Sequence, residues 1–264
     1  MKWIGPDHRK RKIGLALGSG SAKGLSIIGI LKVLEREHIP VDLIAGSSIG
    51  AVIGGLYAAG IPIEGIETVA MGTDWRLLIS LIDPHMKDGL IRGEKVTGFL
   101  RNHLGETLLE DCRIPFSVVA TDLRSGEAVV FDRGNMVTAI RASISVPLVF
   151  QPVRFEDLVL ADGGLSSPVP VETVRRMGAD TVIAVNLNHY HPGTEQDFRL
   201  RDIADRSFGI LRHHLALMDT RSADIMIAPH VAAARWHRFT QADELIAEGE
   251  RTATEMLPEL RKLV

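Results

Sequence analysis

The sequence predicts an α/β fold, a three-layer α/β/α sandwich with a mostly parallel central sheet. The first observation is a short apolar run, Ile13–Leu17, followed by a segment of helical periodicity, Leu25–Glu37. The second is a repeat of this order, in which the apolar run Val41–Ala45 precedes a helix that begins at Ile49. The third is a late buried strand at Thr181–Leu187. Alternating strands and helices form parallel sheets with right-handed crossovers, so these segments should share one sheet.

The remaining elements follow from apolar periodicity and from turn residues. Two apolar runs around the turn Arg124-Ser125-Gly126 predict a β-hairpin. Apolar residues at near-helical spacing, among them Ile203, Leu211 and Met218, predict a long amphipathic helix after residue 200. Strands are expected at Phe116–Thr121, Ala128–Phe131, Leu158–Ala161 and Ile225–Ala228, and helices at Ile49–Ala59, Ile63–Met71, Glu94–His103, Met136–Ser143 and Val171–Met177, with a closing helix over residues 245–263.

Strands fall on both sides of every candidate boundary, so the sequence predicts one domain over residues 13–264, preceded by a basic tail over residues 1–12. Arg9, Lys10, Arg11 and Lys12 make this tail a run of four cations. One interpretation is a solvated tail, and the other is peripheral contact with anionic lipid head groups at a membrane surface.

Composition narrows the class of protein. Of the 264 residues, 45% are hydrophobic and 24% charged, and the net charge of −3 does not favour nucleic-acid binding. Cys112 is the single cysteine, which excludes an intramolecular disulfide and fits the cytoplasm. There is no apolar run of about 18 residues that would predict a membrane-spanning helix. No HExxH or CxxC pattern predicts a metal site, and no cofactor is expected.

The first informative turn is Gly46-Ser47-Ser48-Ile49-Gly50, which matches G-x-S-x-G between a strand and a helix. In such a nucleophile elbow the serine sits on a strained turn, and Gly46 and Gly50 allow the backbone to approach itself closely. The hydroxyl then projects at a helix N-terminus, where N–H groups stabilise developing negative charge. The pattern predicts that Ser48 is a nucleophile, whereas Ser47 is off the pattern.

The second turn is Gly18-Ser19-Gly20-Ser21-Ala22-Lys23-Gly24, also between a strand and a helix. Lys23 occupies a position where a dinucleotide fingerprint needs a small residue, and a P-loop would need Gly-Lys followed by Ser or Thr. An oxyanion hole needs only backbone N–H groups on small residues, which this turn provides. Lys23 is either a solvated cation or a contact for a lipid phosphate.

The third turn, Asp162-Gly163-Gly164, places a carboxylate at the carboxyl end of a predicted strand. Sites in open α/β sheets collect at this edge, so Asp162 could act as a general base. An Asp-Gly pair is also a common turn, so the tripeptide alone leaves both interpretations open.

Together the three turns resemble the patatin-like phospholipase family. The matching segments are LALGSGSAKGLSIIGILKVLE, LIAGSSIGAVIGGLYAAG and LVLADGGLSSPVPVETVRRMGADTVIAV, in this order between residues 15 and 185. The resemblance implies a Ser48–Asp162 catalytic dyad and an oxyanion hole formed by the amides of Ser19, Gly20 and Ser21. It also implies phospholipids, lysophospholipids or other acyl esters as substrates and requires no metal.

The chain departs from the family pattern at three positions. Ser19 and Ser21 stand where the family often has glycine, and Ser167 stands where asparagine is common. The added side chains of Ser19 and Ser21 should narrow the pocket.

Other functions stay open at this stage. A Ser–Asp–His triad on an α/β-hydrolase fold would draw its base from His189, His191, His230 or His237, while His213 and His214 are expected on a solvated helix side. An acyltransferase with the same elbow, or a catalytically silent regulatory protein on the same fold, would also fit the motifs.

Overall fold

Eight strands form one central sheet in the computed structural model, which describes residues 11–72, 92–189, 200–230 and 242–263. The strands are β1 (Ile13–Leu17), β2 (Leu43–Ser47), β3 (Phe116–Asp122), β4 (Ala128–Phe131), β5 (Val153–Phe155), β6 (Leu158–Asp162), β7 (Thr181–Val185) and β8 (Ile225–Ile227). The helices are α1 (Leu25–Arg36), α2 (Ile49–Ala58), α3 (Ile63–Met71), α4 (Glu94–Leu104), α5 (Met136–Ser143), α6 (Val171–Arg176), α7 (Leu200–Asp219), α8 (Ala242–Glu255) and α9 (Leu257–Leu260).

The core of the sheet is parallel, as predicted. Strands β3, β2, β1, β7 and β8 lie side by side in that order, and each neighbouring pair is parallel. Strands β4, β5 and β6 add an antiparallel part through the pairs β3–β4, β3–β6 and β5–β6. The predicted hairpin is confirmed, whereas the three-residue strand β5 was not predicted from the sequence.

Side chains on the parallel strands alternate between two cores on opposite faces of the sheet. Larger residues such as Leu15 and Ile183 pack with α1, α2 and α8, while Ala16 and Ala184 pack with α6 and α7. The small alanines allow the second helix layer to approach the sheet closely. Helices therefore cover both faces, which confirms the predicted α/β sandwich.

Helix α7 exists as predicted, but its apolar residues face the other way. Ile203, Leu211 and Met218 are 50%, 65% and 60% exposed, whereas Ala216 is fully buried. The buried side of α7 packs against small residues of the sheet, which favours alanine over leucine at the contact. The large apolar residues that predicted this helix therefore do not form its buried side.

The predicted closing helix is divided into α8 and α9. Pro258 lies in the first turn of α9, and its ring leaves no N–H to donate to the carbonyl of the preceding turn. At the other end of the chain, Arg11 and Lys12 are exposed directly before β1, while Arg9 and Lys10 lie outside the described residues. None of the helices in the described ranges has the length and apolar character needed to cross a bilayer.

Candidate active site

Ser48 lies on a strained turn between β2 and α2. Strand β2 ends at Ser47, helix α2 begins at Ile49, and Ser48 between them has φ 55° and ψ −122°. Such a backbone conformation is costly for a residue with a side chain and is maintained only where the surroundings enforce it. The structure therefore gives Ser48 the sharp strand-to-helix geometry predicted for a nucleophile elbow.

The elbow packs directly against the loop that follows β1. A Cβ added at Gly50 would lie 2.2 Å from the Leu17 carbonyl oxygen and 2.8 Å from the Gly18 carbonyl oxygen. At Gly46, an added Cβ would lie 2.6 Å from the backbone of Ala51. Only glycine fits at these two positions, and the close approach brings the first two predicted turns together.

The side chains of Ser48 and Asp162 meet in the interior of the protein. Ser48 Oγ donates a hydrogen bond to Asp162 Oδ2 at 2.5 Å. The two residues are only 7% and 3% exposed, respectively. A short hydrogen bond between a hydroxyl and a carboxylate is the arrangement in which the carboxylate can remove the hydroxyl proton.

The register of β3 explains how Asp162 reaches Ser48. Val119 pairs with Ser47 of β2, and the next residue, Ala120, pairs with Asp162 of β6. Both residues also pair with β4, so β4 occupies one edge of β3 while β2 and β6 share the other edge. Because β6 runs antiparallel to β3, its last residue, Asp162, lies next to the point where β2 ends. We expected Asp162 at the site because sites collect at the carboxyl ends of parallel strands. In the structure it is the antiparallel pairing of β6 with β3 that brings Asp162 to the site.

The carboxyl group of Asp162 is fixed by its neighbours. The Gly164 amide donates to Asp162 Oδ1 at 2.8 Å. The Asp162 amide donates to the Ser145 carbonyl oxygen at 3.0 Å, and Thr121 Oγ1 donates to the Asp162 carbonyl oxygen at 2.8 Å. This network leaves Oδ2 oriented towards the hydroxyl of Ser48.

Burial has the largest effect on the pKa of the Asp162 carboxyl group. Loss of contact with water raises the pKa of its carboxyl group above the ordinary value. The hydrogen bonds from Ser48 and Gly164 and the positive charge of Arg212 act in the opposite direction and favour the ionised form. A carboxyl group with a raised pKa is a better proton acceptor than an exposed aspartate.

The backbone amides of the loop after β1 differ in whether they already have an acceptor. The Ser19 amide donates to the Pro168 carbonyl oxygen at 2.7 Å, so it is already engaged. In the described part of the chain, no acceptor is seen for the amides of Gly20 and Ser21. The oxyanion hole that we consider below therefore uses Gly20 and Ser21 without Ser19.

Asn188 holds this loop from the neighbouring strand. It follows β7, its side-chain Nδ2 donates to the Ser19 carbonyl oxygen at 3.0 Å, and its Oδ1 accepts from Ser19 Oγ at 3.3 Å. The sequence offered a signal for Asn188, because it follows a buried parallel strand at the edge where sites collect. The serine at position 19 thus supplies a hydroxyl contact that glycine could not.

Helix α7 joins the site through a histidine expected on its solvated side. His213 is half-buried, and its Nδ1 lies 2.8 Å from the Asn188 carbonyl oxygen. A carbonyl oxygen only accepts hydrogen bonds, so this nitrogen carries the proton. His214 is exposed, as expected, and Lys23 is half-buried rather than fully solvated.

No histidine in the described ranges hydrogen-bonds to Ser48 or Asp162. Of the triad candidates, His191 and His237 lie outside the described residues. Among the residues that the structure describes, no group of three or more His, Cys, Asp or Glu side chains is placed to hold a metal ion.

Comparison with known proteins identifies the family of this chain. A family model described as patatin-like phospholipase matches residues 15–175, which include the elbow, the loop after β1 and Asp162. The chain belongs to the patatin-like phospholipase family. The region that matches the family model ends before Asn188 and α7. Arg212 and His213 on α7 therefore lie outside it.

Relatives of this patatin-like protein occur in bacteria and fungi. It is 37% identical over 213 residues to an uncharacterized NTE family protein of Mycobacterium tuberculosis, covering 80% of this chain and 59% of that protein. It is 31% identical over 194 residues to lysophospholipase nte1 of Emericella nidulans, covering 71% of this chain and 13% of that protein. The chain thus spans little more than half of the first relative and a small part of the second.

Among solved structures, VipD from Legionella pneumophila shares the fold. The TM-score is 0.52 at 15% sequence identity, covering 95% of this chain and 67% of that protein. At this identity the likeness concerns the fold alone.

Proposed function

We propose that this patatin-like protein is a serine hydrolase of the phospholipase A or lysophospholipase type, which cleaves lipid acyl esters with Ser48 and Asp162. The observation that carries the proposal is the 2.5 Å hydrogen bond from Ser48 Oγ to Asp162 Oδ2, formed on a strained elbow. A hydroxyl is a weak nucleophile until an adjacent base removes its proton, and Asp162 is the base within reach.

In the first half of the proposed reaction, Ser48 Oγ attacks the acyl carbonyl carbon while its proton passes to Asp162. The carbonyl oxygen becomes an oxyanion, which the amides of Gly20 and Ser21 stabilise. The tetrahedral intermediate then collapses, the ester bond breaks, and the leaving alkoxide takes the proton from Asp162. The products are an alcohol and an acyl group bound to Ser48.

In the second half, water attacks the acyl-Ser48 ester and Asp162 accepts a proton from that water. Collapse of the second intermediate releases a carboxylic acid, and the proton on Asp162 returns to Ser48 Oγ. One carboxylate therefore acts as base and as acid in turn, as microscopic reversibility requires.

The names of the relatives support lipid esters as the substrate class. The family is described as phospholipases, and the Emericella nidulans relative is named a lysophospholipase. The exposed cations Arg11 and Lys12, with the preceding Arg9 and Lys10, support contact with an anionic membrane surface. We place the enzyme in the cytoplasm, where Cys112 would stay reduced.

The test compares wild type, Ser48→Ala and Asp162→Asn on p-nitrophenyl butyrate and on a lysophospholipid. We expect both variants to lose kcat/KM by at least about a hundredfold. Ser47→Ala is the matched control, because the Ser47 hydroxyl is buried next to Ser48 and has no hydrogen-bond partner in the described structure. A fluorophosphonate probe should label wild type and Ser47→Ala but not Ser48→Ala.

The outcomes separate the alternatives. Equal rates for wild type and Ser48→Ala would refute the proposal. Absence of both labelling and turnover in wild type would favour a silent regulatory protein. Transfer of the acyl group to an added alcohol without release of free fatty acid would favour an acyltransferase.

A further inference from the structure

Two cations that form no salt bridge with any described residue lie beside the proposed oxyanion loop. Arg212 on α7 is half-buried, and its buried Nε has no hydrogen-bond acceptor in the part of the chain that the structure describes. Lys23, three residues after Gly20, is also half-buried, and no described carboxylate compensates its charge. Partly buried cations normally form a salt bridge with a carboxylate, so two neighbouring cations that form none with a described residue are unusual.

The position of Arg212 is fixed by its neighbour on α7. His213 Nδ1 bonds to the Asn188 carbonyl oxygen, and the side chain of Asn188 pairs with Ser19. This chain of hydrogen bonds ties α7 to the loop that carries Gly20. Arg212 therefore lies on a helix that hydrogen bonds hold against this loop.

The positive charge of Arg212 affects the ionisation of both Lys23 and Asp162. Burial lowers the pKa of the Lys23 ammonium group, and the positive charge of Arg212 lowers it further. The charge of Arg212 also reaches the carboxyl group of Asp162, where it favours the ionised form. Two like charges repel each other in a partly dehydrated space. A bound anion would relieve the repulsion and accept a hydrogen bond from Arg212 Nε, which has no acceptor among the described residues.

We infer that Arg212 and Lys23 form a phosphate-binding subsite next to Ser48, and that this subsite holds the headgroup phosphate of a phospholipid or lysophospholipid. The inference deepens the proposed function and rests on it. A guanidinium group donates two parallel hydrogen bonds to phosphate oxygens, and an ammonium group adds a point charge. The headgroup phosphate of such a lipid is joined to the scissile ester through the same glycerol unit, so both can be bound together.

The kinetic test compares two substrates that share one acyl chain, lysophosphatidylglycerol and the neutral monoacylglycerol. The measured quantity is the ratio of their kcat/KM values at pH 8. Wild type should prefer the phosphate-bearing substrate, and Arg212→Gln and Lys23→Gln should each lower the ratio about tenfold to a hundredfold. Arg221→Gln, which removes an exposed arginine just beyond α7, should leave the ratio at the wild-type value.

A second arm distinguishes a lipid headgroup from free phosphate. Inorganic phosphate is titrated as an inhibitor of p-nitrophenyl butyrate cleavage, and its binding is measured by calorimetry for wild type and all three variants. Phosphate binding that both Gln variants weaken, without a preference for lysophosphatidylglycerol, would assign the subsite to free phosphate.

Two results would separate failure of the subsite from failure of the proposed function. Equal substrate ratios and equal phosphate binding in wild type, Arg212→Gln and Lys23→Gln would overturn the inference while ester cleavage stands. Absence of Ser48-dependent ester cleavage would overturn the proposed function, and the calorimetric comparison would still decide whether these two residues bind phosphate. Lys23→Gln keeps the test valid where Arg212→Gln fails to fold.

Discussion

The hydroxyl of Ser143 holds the backbone of Ser48 in place. Ser143 Oγ accepts a hydrogen bond from the Ser48 amide at 2.8 Å and donates one to the Val119 carbonyl oxygen at 2.6 Å. Ser143 is fully buried at the end of α5. It therefore connects the strained elbow to β3, the strand whose register also positions Asp162.

We predict that Ser143→Ala impairs both stability and catalysis. The buried Ser48 amide would lose its partner, which costs about 1–3 kcal/mol of the free energy of unfolding. The released elbow would also populate conformations in which Ser48 Oγ leaves Asp162, so kcat should fall by about tenfold or more. Urea unfolding and hydrolysis of p-nitrophenyl butyrate measure the two effects.

The control for this variant is Ser117→Ala. Ser117 is also buried on the sheet, but its hydroxyl has no hydrogen-bond partner in the described structure, so its removal should be neutral or stabilising. If Ser143→Ala matched Ser117→Ala in both stability and kcat, Ser143 would have no role in maintaining the elbow.

The pH dependence of ester cleavage should report the ionisation of Asp162. The base must be ionised to accept the proton of Ser48, so kcat/KM should fall as the pH drops through the pKa of Asp162. Because burial raises this pKa, the loss should begin at higher pH than for an ordinary aspartate. The measurement is kcat/KM for a neutral ester between pH 4 and pH 9.

Arg212→Gln tests the cause of this pH dependence. The variant removes a positive charge that favours the ionised carboxylate, so the acidic decline of kcat/KM should move to higher pH. Arg221→Gln removes an exposed arginine and should leave the profile unchanged. A profile of Arg212→Gln that moved to lower pH would show that Arg212 does not act on Asp162 through its charge.

The sequence was sufficient to predict the parallel core of the sheet, because each strand is a local apolar run followed by a turn and a periodic helix. The elbow motif also indicated Ser48, whereas the tripeptide at Asp162 left two interpretations open, and it was the resemblance to the patatin-like phospholipase family that singled this residue out. The antiparallel pairing of β6 was not predictable, because the register Ala120–Asp162 depends on a contact between distant segments.

The same limit applies to the residues that support the site. Ser143 and Arg212 lie on helices where a serine or an arginine is ordinary, and their roles depend on which face is turned inward. For α7 the apolar pattern predicted the helix but not its buried side, since Leu211 is 65% exposed and Ala216 is fully buried. Helical periodicity identifies the helix but does not identify the small and polar residues that a close contact requires.

Asp219 should make the stability of the protein depend on pH. Burial raises the pKa of its carboxyl group from 3.8 to about 6, although Val169 and Ser167 donate hydrogen bonds to it. The folded state therefore holds the proton more tightly than the unfolded state. The stabilising contribution is complete below the unfolded pKa and is lost as the pH rises through about 6.

The variant Asp219→Asn isolates this contribution, because an amide oxygen can still accept from the Val169 amide but does not ionise. The free energy of unfolding of the variant, relative to wild type, should increase between about pH 4 and pH 6 and then stay constant. Urea unfolding at several pH values measures the difference. A difference that does not change with pH would exclude Asp219 as the titrating group.

The final prediction concerns the contact between α2 and β1. It compares a glycine that is tightly packed against backbone atoms with a glycine that has open space around it. An alanine at Gly50 would place its Cβ 2.2 Å from the Leu17 carbonyl oxygen, a backbone atom that cannot move without displacing β1. We expect Gly50→Ala to lower the free energy of unfolding by about 1–3 kcal/mol. The variant should also reduce ester cleavage, because the elbow would separate from the loop that carries Gly20 and Ser21.

Gly98 on α4 is the matched position, since an added Cβ has no atom within 4 Å there. Gly98→Ala should raise the free energy of unfolding by about 0.5–1 kcal/mol, because alanine loses less backbone entropy than glycine in a helix. Its ester cleavage should equal that of wild type, since α4 contributes no residue to the proposed dyad or oxyanion hole. If Gly50→Ala were as stable and as active as Gly98→Ala, the close packing of elbow and loop would not be what aligns the nucleophile with its oxyanion donors.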